Sequence, residues 1–186
     1  NNSKRISAHR QTWLNSNAPD LTASAKQQRE QYLSNISQNY TSRWKDEAGD
    51  AITQLTIFNL ITAENVRARN IAKAHDANDI TLANSLSKVK GPINDINNLL
   101  LSSNIPIIIS IGENDALFAS KNGGIPYSIA ELSDGEKNAL LICADILTVA
   151  PGTIVILDEP EKHLHRAIIS PLLTAVFKLR NDCVFI

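Results

Sequence analysis

Thr153-Ile154-Val155-Ile156-Leu157-Asp158-Glu159-Pro160-Glu161 is the stretch on which the reading of the whole chain turns. Four aliphatic residues follow one another without a polar break and stop on two carboxylates. An uninterrupted apolar run of strand length reads as a strand buried on both faces, the habit of parallel sheets. Such a strand delivers its last side chains to the carboxyl edge of the sheet, where α/β proteins bind ligands. There, Asp158 can hold Mg2+, usually through water. Glu159 can polarise a water for attack on a γ-phosphate. The same residues also suit a plain strand ending in a solvated acidic loop, so the flanking sequence has to decide.

Upstream lies Leu132-Ser133-Asp134-Gly135-Glu136-Lys137, followed by an apolar helix from Ala139 to Val149 that Pro151-Gly152 breaks. Ser133 offers a hydroxyl and Gly135 allows close backbone approach. Both sit at a helix start, where free N–H groups and the helix dipole favour an anion. Taken alone, Ser-Asp-Gly-Glu is equally a good N-cap with Glu in the first turn. Downstream, a helix is predicted over about 164–179, and Asp182-Cys183-Val184-Phe185-Ile186 opens another strand. Helix–strand–helix–strand is the syntax of an α/β fold with a parallel sheet.

The preceding chain is organised differently. Residues 1–20 are polar and mixed, with Lys4 to Arg10 predicted as a short strand or an extended segment. From Leu21 to about Leu101, Gly and Pro are nearly absent and apolar positions recur every three to four residues. Helices are predicted at about 21–40, 43–75, 79–88 and 92–103, the last with Pro92 in its first turn. Pro106 to Ser120 reads as a hairpin that turns at Gly112-Glu113-Asn114-Asp115 and is closed by Lys121-Asn122-Gly123-Gly124. The expected organisation is therefore the end of an N-terminal lobe (1–20), a helical lobe (21–104), and a core of hairpin, Ser-Asp-Gly-Glu helix and acidic strand (105–186).

Composition narrows the classes. The chain has 186 residues, 43% of them hydrophobic and 20% charged, with 18 Lys and Arg against 19 Asp and Glu. That is a globular composition without the basic excess of a nucleic-acid binder. No apolar run is long enough to span a membrane. The two cysteines cannot form a disulfide framework, so a cytoplasmic setting is expected. There is no methionine and the first residue is Asn, so an internal piece of a longer protein is expected.

Together the two motifs resemble the ABC signature sequence (LSxGE in SMC-like and repair ATPases) and the Walker B strand, in the order those ATPases use. Asp158-Glu159-Pro160-Glu161-Lys162-His163-Leu164-His165 is similar to the DEPExHLH string of OLD-like ATPases and of the PtuA ATPases of Septu and retron anti-phage defence systems. Tyr127 onwards and Ala8-His9-Arg10-Gln11-Thr12-Trp13 look especially like the retron type. Many members have Pro where Arg166 stands. The resemblance covers the last third of the chain well and the helical middle loosely. It implies an ABC-type ATPase core with a parallel sheet and an α-helical lobe. It also implies ATP and Mg2+ as ligands, and a homodimer or higher oligomer closed head to tail over the nucleotide.

In that picture Ser133, Asp134, Gly135 and Glu136 meet ATP, Asp158 serves Mg2+, Glu159 is catalytic, and His163 and His165 line the D-loop at the dimer interface. Gln11 stands where a Q-loop residue would, or is a polar loop residue. The system resemblance implies an HNH nuclease partner of the PtuB kind and a reverse-transcribed DNA or its reverse transcriptase. A zinc site at His163 and His165 is disfavoured, since residues two apart do not share a helix face and zinc wants a stronger ligand set. Lys4, Arg5 and Arg10 read as phosphate or nucleic-acid contacts or as a solvated edge. Trp13 and Trp44 read as packing anchors and Cys143 as core. A phosphate-cradling loop needs G-x-x-x-x-G-K-[ST], and none of the seven glycines is followed by Lys. The Walker A loop and the switch histidine are therefore expected to lie outside this sequence, leaving this chain alone inactive. The alternatives are a DNA-repair ATPase of the RecF or SMC type, or a nucleotide-dependent scaffold that does not hydrolyse.

Overall fold

A computed structural model of the chain describes residues 3–7, 16, 18, 22–37, 49–161 and 164–186. Gln11, His163, both tryptophans, and the parts of the predicted strand and helices at 8–10, 21, 38–40 and 43–48 lie outside the described residues.

The acidic stretch forms the middle of a parallel sheet. Strands β1 (Ser3–Ser7), β5 (Ile154–Asp158) and β6 (Val184–Phe185) lie in the order β1-β5-β6. Both pairings are parallel, with Arg5 opposite Ile156, Ser7 opposite Asp158 and Ile154 opposite Val184. Among the described residues, the sheet is covered on one face only. Val155 and Ile6 point inward and are buried, whereas Ile156, Val184 and Ile186 are 37%, 56% and 72% exposed. This corrects the expectation of a strand buried on both faces. An all-aliphatic run gives no alternation to read, so one-sided coverage left no mark in the sequence.

Six helices are described: α1 (Ala23–Ser37), α2 (Gly49–Asp76), α3 (Ile80–Lys88), α4 (Pro92–Ser102), α5 (Asp134–Thr148) and α6 (Arg166–Leu179). Local chemistry sets several boundaries. Asp79 caps α3, its carboxylate accepting from the Leu82 N–H at 2.9 Å. Pro92 opens α4, whose Ile93 N–H donates to the Glu64 carboxylate from α2 at 3.3 Å. Gly91 leaves room for this contact, because a Cβ there would stand 2.3 Å from a Glu64 oxygen and would push the carboxylate aside. Arg180 closes α5 from the far end of α6, donating to the carbonyls of Ile146 (2.6 Å) and Val149 (3.0 Å). The hydrogen bond from Arg180 pulls the neighbouring Asp182 carboxyl below its usual range.

A second, antiparallel sheet joins β2 (Ile107–Ile111), β3 (Leu117–Lys121) and β4 (Tyr127–Ser128), in that order. The hairpin is where the sequence placed it, and β4 is an addition too short for a pattern. Ile107 and Ile109 are buried while Ile108 and Ser110 face out. Asn97 of α4 covers the β2 edge. Its amide donates to the Ile109 carbonyl at 2.9 Å and its oxygen accepts from the Ile109 N–H at 2.7 Å, as a neighbouring strand would.

One apolar core unites these parts. Leu60 of α2, Ile96 and Leu100 of α4, Ile109 and Leu117 of the hairpin, Leu140 of α5, Val155 of β5 and Leu172 of α6 belong to a single buried cluster. The cluster runs across residue 104, so the helical stretch and the α/β stretch share a core. Cys143 lies inside it, and burial pushes its thiol up to about 12.

Candidate active site

The site grows from the carboxyl end of β5. Asp158 is the last residue of that strand, and its side chain is 37% exposed. Glu159 follows with φ +50°, a left-handed conformation that side-chain-bearing residues seldom adopt, and Pro160 comes next. Backbone strain of this kind is typical of functional turns and costs about 1–3 kcal/mol. It places a second exposed carboxylate directly after the first. Two hard oxygen donors at a strand end suit Mg2+, which takes one or two carboxylates and keeps water and phosphate for its other positions. Among the described residues, no group of three or more His, Cys, Asp or Glu side chains is placed to hold a metal by itself. The donor set therefore fits a magnesium that arrives with its own phosphate ligands, and not a closed protein cage.

Strand β1 supplies a partner of Asp158. The Arg5 guanidinium donates to the Asp158 carboxylate in an ion pair. Register explains it: Arg5 stands opposite Ile156, two residues before Asp158, so both side chains emerge on the uncovered face. The adjacent Lys4 points the other way. Its ammonium reaches Asp145 of α5 at 2.5 Å, and Asp145, fully buried, also accepts from the Thr56 hydroxyl of α2 at 2.8 Å. Neither pairing is visible in the sequence, where both cations read as phosphate or nucleic-acid contacts or as a solvated edge. One signal was present: an aspartate in the middle of an apolar helix demands a buried partner.

The second motif forms the start of α5. Ser133 is the N-cap and Glu136 completes a reciprocal capping box. The Glu136 carboxylate accepts from the Ser133 N–H at 3.0 Å and from its hydroxyl at 2.7 Å. Lys121 at the end of β3 stands 3.6 Å from the same carboxylate. Burial alone would raise the Glu136 carboxyl, but the Ser133 hydrogen bonds and Lys121 outweigh it and hold it below its ordinary range. Asp134 is exposed and Gly135 half-buried in the first turn. The capping reading of Ser-Asp-Gly-Glu thus describes the fold, and it leaves the motif on the surface at a helix N-terminus. The two motifs draw on different partners: β1 holds Asp158, and β3 holds the cap of α5.

His165 is the N-cap of α6, its Nδ1 accepting from the Ala167 N–H at 3.3 Å. It is exposed beside the acidic turn. No described helix is long and apolar enough to cross a membrane.

Residues 23–183 match the protein family described as "AAA domain, putative AbiEii toxin, Type IV TA system". No curated protein matches the chain.

Proposed function

The chain belongs to that AAA-domain family, and from this premise we propose that it contributes the signature and Walker B elements of an ATP-hydrolysing site. The observation that carries the proposal is the Asp158-Glu159 pair at the carboxyl end of the central parallel strand, with Glu159 held in a left-handed turn. Family membership implies a P-loop NTPase fold and ATP as substrate.

In this reading Asp158 holds Mg2+, which when bound neutralises charge on the nucleotide phosphates. Glu159 accepts a hydrogen bond from the attacking water and takes its proton as the water oxygen bonds to the γ-phosphorus and the bond to the β–γ bridging oxygen breaks, releasing ADP and inorganic phosphate. Ser133 and the first N–H groups of α5 approach the phosphates of a nucleotide held by another subunit, which places the active form in a head-to-tail dimer. The P-loop comes from outside the present sequence, because no Gly in it is followed by Lys. On the strength of the DEPExHLH resemblance, the assembly belongs to an anti-phage defence system of the Septu or retron kind. In that setting an HNH nuclease is its effector and reverse-transcribed DNA a further partner.

Glu159→Gln tests the catalytic assignment. In the assembly that includes the P-loop, phosphate release should fall about 10²- to 10⁴-fold while the ATP-bound dimer accumulates in size-exclusion chromatography. Unchanged turnover would remove Glu159 from catalysis. A wild-type protein that binds ATP and dimerises without turnover would favour the non-hydrolysing scaffold.

A further inference from the structure

We propose that Arg5 is a resident cation on Asp158, a positioning residue that keeps this carboxylate closed to free metal until a metal–nucleotide complex displaces it. The inference rests on the reading of Asp158 as a metal ligand, and goes beyond it by giving that ligand an occupant of its own.

The geometry is specific. Arg5 and Asp158 lie on neighbouring parallel strands, on the uncovered face, offset by two residues in register. A guanidinium on a three-carbon stem spans that diagonal, and it reaches the carboxylate that the acidic turn presents. The pair is also built to exchange. Its side chains are 47% and 37% exposed, and exposed pairs of this kind contribute about 0–1 kcal/mol. Lys4, one residue away, holds a fully buried aspartate instead. The same strand therefore carries one fixed pair and one that solvent can open.

Arg5 suits the task chemically. Its charge does not depend on pH in any ordinary range, so the guard is constant. Free Mg2+ sheds water reluctantly and would gain little from one carboxylate already neutralised. A metal–nucleotide complex brings phosphate contacts of its own. It also offers the displaced guanidinium a new partner, because the Arg fork matches phosphate oxygens as well as carboxylates. The exchange moves Arg5 from carboxylate to phosphate without leaving an ion unpaired. Discrimination between bare cation and metal–nucleotide then follows from one side chain.

The test uses Mn2+ alone, counted from the free-ion EPR signal, on the purified protein without nucleotide. Arg5→Gln should bind Mn2+ roughly two- to fivefold more tightly than wild type, and Arg5→Lys should stay near wild type. The gain should vanish when Arg5→Gln is combined with Asp158→Asn. A merely structural Arg5 would give the opposite sign, since loosening the sheet weakens the site. If Asp158→Asn lowers Mn2+ binding but Arg5→Gln leaves it unchanged or weaker, the resident-cation role is overturned while the metal reading stands. If Asp158→Asn leaves Mn2+ binding unaltered, the metal reading itself fails, and the role of Arg5 with it.

Discussion

Lys4 and Arg5 are consecutive residues of one strand, yet they meet opposite fates. Lys4 turns into the core and ties β1 to α5 and, through Thr56, the Asp145 carboxylate to α2. Arg5 turns outward and lies on Asp158 at the rim of the sheet. Two ion pairs of similar chemistry thus lie on opposite faces of one strand, in different dielectric surroundings. The inner pair holds β1, α5 and, through Thr56, α2 together. The outer pair sits where chemistry is expected and can be broken at little energetic cost. Burial, not the identity of the charges, separates architecture from function here.

The largest effect should come from breaking the inner pair. Lys4→Met removes the cation from a fully buried Asp145 carboxylate, which also accepts from the Thr56 hydroxyl. Loss of one member of a buried pair costs about 3–5 kcal/mol, read as a lower urea midpoint. The double change Lys4→Met with Asp145→Leu should recover most of that loss, because a well-packed apolar replacement is often neutral. Arg5→Gln should shift the midpoint by no more than about 1 kcal/mol. Equal costs for Lys4→Met and Arg5→Gln would erase the contrast between the two faces of β1.

The contrast also explains what the sequence could and could not reveal. Strand β5, helix α5 and the start of α4 are legible because their signals are local: an aliphatic run, a capping box, a proline in the first turn. The Lys4–Asp145 pair joins residues 141 positions apart, and nothing local announces it beyond an aspartate out of place in an apolar helix. Arg5 was seen but its partner was not, because it depends on which strand lies beside β5 and in what register. His165 looked like an interface residue and also serves as a helix cap, a role that small polar residues signal more clearly.

A middle-sized effect should come from the cap of α5. Ser133→Ala removes the N-cap hydroxyl and should cost about 1 kcal/mol. Its pH dependence gives the sign. Glu136 is held below its ordinary pKa in the fold by Ser133 and Lys121 against the pull of burial. Its contribution is therefore complete above the pKa of an unfolded glutamate and disappears as pH falls through the depressed folded value. Thermal melts of wild type and Ser133→Ala should draw closer in acid and separate further towards neutrality, with a residual gap from the Glu136 N–H bond that the hydroxyl accepts. A gap that does not change with pH would mean that Ser133 acts without the Glu136 carboxylate. Ser133→Arg, by contrast, should leave the protomer folded and prevent ATP-driven association, because a long side chain costs little on this surface and blocks a phosphate approaching the helix start.

The smallest effect on stability should carry the opposite sign, and it bears on the rim alone. Glu159 holds φ +50°, where a Cβ is unwelcome and glycine is at ease. Glu159→Gly relieves that strain but frees the unfolded chain, so the two terms partly cancel. A net gain of a few tenths of a kcal/mol, up to about 1 kcal/mol, is expected in urea unfolding. The same substitution deletes the carboxylate assigned to orient water, so turnover by the assembled enzyme should be lost while the fold becomes firmer. Glu159→Gln is the matched control, because it removes the charge and keeps the strained backbone, and should leave stability nearly unchanged. Were Glu159→Gly to destabilise the protein as Lys4→Met does, the left-handed turn would belong to the architecture of the inner face and not to the chemistry of the outer one.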